Sequence, residues 1–235
     1  MPKVRSKGFS NPAATWDARF SSTDYIFGKT PNVWLAQHSE LLIPGGSALA
    51  VADGEGRNSV WLAERGMQVD AFDISPIGVE KARQLALAAN ATVNFNVSDC
   101  DEWEWQPDHY DLVVAIFIQF ADPESRTRLF KRMMESLKPG GLLLLQGYTP
   151  KQLDYKTGGP PRLDHLYTED LLRAEFSGMD IIELESYDDV LREGTQHSGQ
   201  SALVGLVAKK NKHCTLVHLN EPLVTLALTA YSQST

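Results

Sequence analysis

The stretch AVADGEGRNSVWLAERGMQVDAFDIS, from Ala50 to Ser75, constrains this chain more than any other. It reads as a buried strand, a glycine turn, a helix and a second strand that ends on an aspartate. Strand, helix and parallel strand make a βαβ unit. A sheet of such units carries its ligands at the carboxyl ends of the strands, beside the switch in strand order. Gly54 and Gly56 sit where a nucleotide-type ligand presses against the backbone. The third glycine of the dinucleotide pattern G-x-G-x-x-G is missing, and Ser59 holds its position.

The flanking sequence repeats the alternation. SALAVAD (47–53) is a short buried strand, Asn58 to Arg65 is helical with Gly66 as its stop, and MQVDAFD (67–73) is a second strand. Pro76 starts a helix, IGVEKARQLALAAN, with apolar positions at three and four. TVNFNVSD alternates like a strand, and HYDLVVAIFIQF reads as a fully buried one. PESRTRLFKRMMESLK is an amphipathic helix stopped by Pro139-Gly140-Gly141, followed by the strand LLLLQGY. These elements predict a Rossmann-like, doubly wound α/β fold: a mostly parallel sheet with helices on both faces. The end differs. After a helix near Thr168–Phe176, MDIIELESYDDVLRE and QSALVGLVAKK follow with no helix between them, so the last two strands form an antiparallel hairpin.

Of the 235 residues, 43% are apolar, ample for a continuous core, and length alone leaves one large or two small domains open. The chain divides into a flexible terminus (1–14), one domain (15–210) with an N-terminal cap segment (15–43), and a tail (211–235) without an assigned role. The formal net charge of −8 and the absence of a Lys/Arg run argue against nucleic acid as partner. No apolar run approaches the ~20 residues of a membrane span, and the basic start lacks the apolar core of a signal peptide. Two cysteines far apart, Cys100 and Cys214, make neither a disulfide framework nor a zinc site, so no metal is expected. Together these features fit a cytoplasmic chain, and the oligomeric state stays open between monomer and homodimer.

Three successive strand ends carry aspartate beside the glycine turn: Asp53, Asp73 and Asp99. Asp73 lies 17 residues after Gly56, close to the ~20 expected of a carboxylate that accepts ribose hydroxyls. Asp99 is placed for an adenine amino group. Each aspartate has a plainer alternative, as a helix cap or turn former. A dinucleotide needs the third glycine for close approach of the helix to its pyrophosphate. S-adenosylmethionine has no phosphate. It offers a carboxylate, which the free N–H groups of a helix N-terminus serve, and an ammonium, which Asp53 or Glu55 would balance. Ser59 therefore favours S-adenosylmethionine over NAD.

These residues resemble the class I S-adenosylmethionine-dependent methyltransferases over roughly Trp16 to Lys210. SDCDEW resembles their third motif, YDLVVAIFI and SLKPGGLLLL their fourth and fifth strands, and the final hairpin their sixth and seventh. More narrowly, W-D-x-R-F…Y-x-F-G-x-x-P-N and D-G-E-G-R-N-S-x-W-L-A are similar to bacterial tellurite-resistance methyltransferases and, more distantly, thiopurine S-methyltransferase. Ala50 and Ala52 depart from the superfamily, which usually has an acidic residue and a glycine there. The resemblance implies a seven-stranded sheet and cofactor contacts from Asp53, Gly54, Glu55, Gly56, Arg57 and Asn58. It adds Asp73, Ile74, Asp99 and Cys100, with Trp16, Arg19 and Tyr25 packing over the cofactor from the N-terminal segment. That segment reads alternatively as a hydrophobic staple. Gln119 is grouped with the cofactor contacts, where relatives place an acceptor-side polar group; capping the next helix is its alternative.

On the acceptor side, GYTPKQLDYKTGGPPRLDHLYT has the length and Gly-Gly-Pro-Pro of an active-site loop, with Tyr148, Tyr155, Arg162 and His165 as polar candidates. In LREGTQHSGQ, Arg192 and His197 are placed to bind an anionic acceptor, and His197 to act as a base near neutral pH. The expected partner is a small-molecule methyl acceptor with a soft sulfur, selenium or tellurium nucleophile, which needs little help from a base. The alternatives are an NAD-dependent oxidoreductase on the same sheet, a non-catalytic S-adenosylmethionine-binding protein, and a nucleic-acid methyltransferase.

Overall fold

The computed structural model describes residues 11–212. The seven strands are β1 (Ser47–Val51), β2 (Gln68–Asp73), β3 (Val93–Val97), β4 (Tyr110–Ile116), β5 (Leu137–Tyr148), β6 (Met179–Glu193) and β7 (His197–Lys210). They form one sheet in the order β3-β2-β1-β4-β5-β7-β6. β1 to β5 run parallel, and β7 pairs antiparallel with both β5 and β6. The helices are α1 (Pro12–Phe20), α2 (Val33–Gln37), α3 (Arg57–Glu64), α4 (Pro76–Ala88), α5 (Pro123–Ser136), α6 (Gln152–Tyr155) and α7 (Glu169–Glu175). The expected fold is therefore the observed one.

Side chains of successive strand residues point to opposite faces, and that alternation splits the core in two. Leu49, Val51, Val113, Leu143 and Leu145 join Phe130 and Met133 of α5 and Leu172 of α7 on one face. Ala48, Leu112, Val114 and Leu144 join Trp34 of α2 and Trp61 and Leu62 of α3 on the other. Cutting a buried leucine such as Leu143 to alanine in a layer this closed costs about 2–5 kcal/mol.

Three boundaries differ from the sequence reading. α1 begins at Pro12, because the Asn11 side chain accepts from the Ala14 N–H and proline suits the first helical turn. Residues 12–14, read from sequence as part of a loose terminus, are thus helical. β5 begins at Leu137 and runs through Pro139-Gly140-Gly141, with the register shift against β4 absorbed between Tyr110 and Leu112. β4 stops at Ile116 because Phe117 turns to φ 55, a left-handed conformation costly for an aromatic residue. The tail from residue 213 on, Cys214 included, and the first ten residues lie outside the described part. Among the described residues no helix is long and apolar enough to cross a membrane.

Candidate functional site

Strand order reverses between β1 and β4, and a cleft of about 260 Å³ opens there at the carboxyl ends of the strands. Its floor is the turn after β1. Gly54 has φ 63 and Gly56 φ 90, and a Cβ on Gly56 would meet the Ala82 Cβ at 2.6 Å, so only glycine lets α3 and α4 approach here. Ala52 takes φ 49 at the position where the superfamily has glycine. Asp73 ties the turn to the next loop: its carboxylate accepts from the Gly54 N–H at 2.9 Å and the Ser75 N–H at 2.8 Å. Ser59, in place of the third dinucleotide glycine, donates its hydroxyl to Asp53, which also accepts the Ser59 amide. Burial lifts Asp53 to about 7 and Asp73 to about 6, against the hydrogen bonds that favour their charged forms.

Trp16, Asp53, Gly54, Arg57, Asn58, Asp73, Ile74, Asp99 and Cys100 all wall this cleft. Asp99 spends one oxygen on the Asp101 and Glu102 amides, and burial raises the Cys100 thiol, leaving it a neutral apolar wall. Three expected contacts are scaffold instead. Glu55 is buried against Lys81 at 2.5 Å, Gly56 packs on α4, and the Tyr25 hydroxyl donates to the Lys81 carbonyl. Buried charge demands a partner, and Glu55 and Lys81 satisfy each other.

Arg19 and Gln119 wall a second cavity instead of the cleft. Of about 470 Å³, it shares Trp16, Phe27, Phe117, Phe120 and His197 with its neighbour and is closed by Gly158 to Arg162 of the loop picked out from sequence. Gln119 holds that loop down: its Nε2 donates to the Tyr148 and His165 carbonyls, and its Oε1 accepts the Tyr148 N–H. Tyr148 and His197 are both buried here, with His197 packed among Phe27, Phe117 and Tyr148. Burial first, then the charges of Arg57 and Arg19, push His197 down to about 3. Its Nδ1 lies 3.9 Å from Glu193, but that carboxylate is already paired with Arg57, so the buried imidazole is held neutral and does not suit the role of base expected from sequence. Arg192 is also corrected. It is exposed on the outer side of β6 and walls neither cavity, because strand alternation turns its neighbour Glu193 inward. Tyr155 likewise faces outward, bonded to Asp188.

Glu193 organises a buried network that the sequence reading missed. It pairs with Arg57 at 2.8 Å and accepts from Asn32 Nδ2 and the Val33 N–H, both at 3.0 Å. Asn32 also donates to Gln146 at 2.7 Å. Arg57 reaches the Phe27 carbonyl, and the β6–β7 turn returns two N–H groups to the Ile26 carbonyl. The cap segment is thereby fastened to the sheet edge beside both cavities. Gly194 permits this contact: a Cβ there would lie 2.3 Å from the Ile26 oxygen.

Residues 48–141 match the methyltransferase domain family. Over 205 residues the chain is 28% identical to the tRNA 5-carboxymethoxyuridine methyltransferase of Escherichia coli K12, covering 76% of this chain and 75% of that protein. It is 26% identical to phosphoethanolamine N-methyltransferase 3 of Arabidopsis thaliana, covering 65% of this chain but only 29% of that longer protein. A SAM-dependent methyltransferase from Methanosarcina mazei superposes with a TM-score of 0.64 at 19% identity, over 75% of this chain and 98% of that one. The domain match over residues 48–141 and these relatives together support an S-adenosylmethionine-dependent methyltransferase, and the superposition shows the same fold.

The methyltransferase's cleft suits that cofactor on its own terms. It offers an acidic strand end for ribose hydroxyls and an α3 N-terminus whose Gly56 cap brings no side chain to occupy the first amides. Ser59, tied to Asp53, stands where a pyrophosphate would need glycine. The alternative of an NAD-dependent oxidoreductase gains nothing from these relatives.

Proposed function

We propose that this methyltransferase acts on a small organic acceptor held in the ring-walled cavity, and that the acceptor arrives with its own reactive nucleophile. The observation that carries this reading is the shared wall: Phe27, Phe117 and His197 border both cavities, so two ligands would meet there. No Asp or Glu among the described residues walls the second cavity, and His197 is a poor base. A thiolate or comparable soft anion fits such a site, because it needs no proton removed. When bound, the cofactor supplies the methyl group and the leaving sulfide. The chain's residues align the acceptor and keep water out.

We assign Asp73 to the ribose hydroxyls, Asp99 and Cys100 to the adenine end, and Arg57, Asn58 and the first amides of α3 to the amino-acid end. Asp53 is assigned to the ammonium, whose charge would favour the ionised carboxylate. Motif likeness supports a tellurite, selenite or thiol acceptor. Walls of Trp16, Phe27, Phe117, Phe120 and Tyr148 favour the organic thiol over a bare oxyanion, since rings cannot replace its hydration. A tRNA acceptor is supported by the E. coli relative and opposed by the net charge of −8. The spacing of its cysteines supports a cytoplasmic setting.

Methyl-labelled cofactor incubated with thiols, thiopurines, selenite, tellurite and tRNA distinguishes these readings. Label in a methylated organic product supports the proposal. Label only in RNA, or in no product while the cofactor binds, refutes it.

A further inference from the structure

The second cavity carries a charge pattern that narrows its ligand. Two guanidinium groups stand on its walls, Arg19 and Arg162. Arg162 is already neutralised by a two-pronged contact with Asp164. Arg19 has no carboxylate partner among the described residues. Its Nη2 donates to Gln196 at 3.0 Å, and its guanidinium lies 4.6 Å from the Trp16 ring centre. In a protein of net charge −8, this exposed arginine without a carboxylate partner among the described residues offers an anion a favourable point of contact.

The remaining polar groups mark the cavity as a ligand site, and the preference for an anion rests on Arg19. Tyr148, His165 and His197 wall the cavity: the buried Tyr148 hydroxyl has no hydrogen-bond partner, and His165 Nε2 and His197 Nδ1 make none either, lying 4.0 Å from Asp164 and 3.9 Å from Glu193. Buried polar atoms are ordinarily satisfied, so such a cluster marks a place where a ligand completes the bonding. His165 Nδ1 lies 3.1 Å from the Gln119 carbonyl, which makes it the donor in the neutral ring and leaves Nε2 as an acceptor. The other walls are flat: Phe117 and Tyr148 stack at 4.7 Å, and Pro160 and Pro161 close the loop side.

Resting on the acceptor site proposed above, we infer that the cavity takes a planar organic anion, its ring lying against the aromatic walls and its anionic group bound by Arg19. A guanidinium offers a carboxylate or similar group paired donors that a neutral amide cannot match. Arg19, expected from sequence to touch the cofactor, becomes the residue that sets acceptor charge.

The test uses the full chain saturated with S-adenosylhomocysteine and three probes of one shape: 4-hydroxybenzoate, 4-hydroxybenzamide and 4-hydroxybenzylammonium. Their binding is followed by saturation-transfer NMR and tryptophan fluorescence. The acid should bind at least tenfold tighter than the amide, the ammonium weakest, and R19Q should reduce the acid's advantage below threefold while S-adenosylhomocysteine affinity holds. Equal binding of acid and amide by the wild type, or an advantage that survives in R19Q, overturns the anion anchor. If that equal binding is lost in Phe117→Ala, the acceptor cavity itself stands. Absence of binding by all three probes to the loaded protein overturns both the anchor and the acceptor site.

Discussion

Asp73→Asn separates two roles that the structure gives one carboxylate. In the folded chain Asp73 accepts the Gly54 and Ser75 amides, and in the proposed complex it also receives the ribose hydroxyls. Asparagine keeps a single acceptor oxygen, so one of the two buried amides loses its partner, at about 1–3 kcal/mol. At roughly 2–4 °C per kcal/mol for a chain of this size, the melting temperature should fall by about 2–12 °C. Losing charged hydrogen bonds to the ribose removes a further 1.5–3 kcal/mol or so of binding, a factor of about 10 to 150 in Kd. Calorimetric titration with S-adenosylhomocysteine and its 2′-deoxy analogue closes a double-mutant cycle. The wild type should lose affinity for the deoxy analogue, and the variant should discriminate far less between the two. If the folded variant still penalises the deoxy compound as the wild type does, Asp73 does not bind the ribose.

Other outcomes follow from the same geometry. Asp53 titrates near 7 in the folded chain against an ordinary 3.8, so the folded state holds its proton longer than the unfolded one. Its contribution to stability is full below about pH 4 and is lost as pH rises through 7, while affinity for the cationic cofactor rises over the same interval. Titrations at pH 6 and 8 in buffers of different ionisation enthalpy should show proton release only at the lower pH, and Asp53→Asn should abolish it. Glu193→Gln leaves Arg57 buried without its counter-ion and should cost about 3–5 kcal/mol in denaturant unfolding, with Glu193→Gln/Arg57→Met recovering part of the loss. His197→Gln should retain most of the turnover that His197→Ala loses, because the ring fills a wall and takes no proton; equal loss in both would restore it as a base.

The architecture was legible because each part of it has a local cause. Alternating strands and helices, glycine and proline stops, and a final hairpin without a helix all follow from short-range chemistry. The aspartates at the strand ends were legible too, since the turn that follows β1 fixes where they lie. Residues on the acceptor side were not. Arg192 and Glu193 are neighbours, and one step of strand register decides which faces the site. Tyr25 and Phe27 look alike in sequence, yet Phe27 borders both cavities while Tyr25 serves Lys81. Phe117 carried no signal at all, since its position depends on a left-handed turn at the end of β4. Glu193 gave none either, because its partners Arg57, Asn32 and Val33 are more than a hundred residues away.

A crystal structure with S-adenosylhomocysteine tests the central claim most directly. The ribose should rest on Asp73, the adenine near Asp99 and Cys100, and the sulfur should face the Phe117–His197 wall that opens into the second cavity. A sulfur turned away from that wall, or a cleft left empty by a protein that binds the compound elsewhere, would contradict the account.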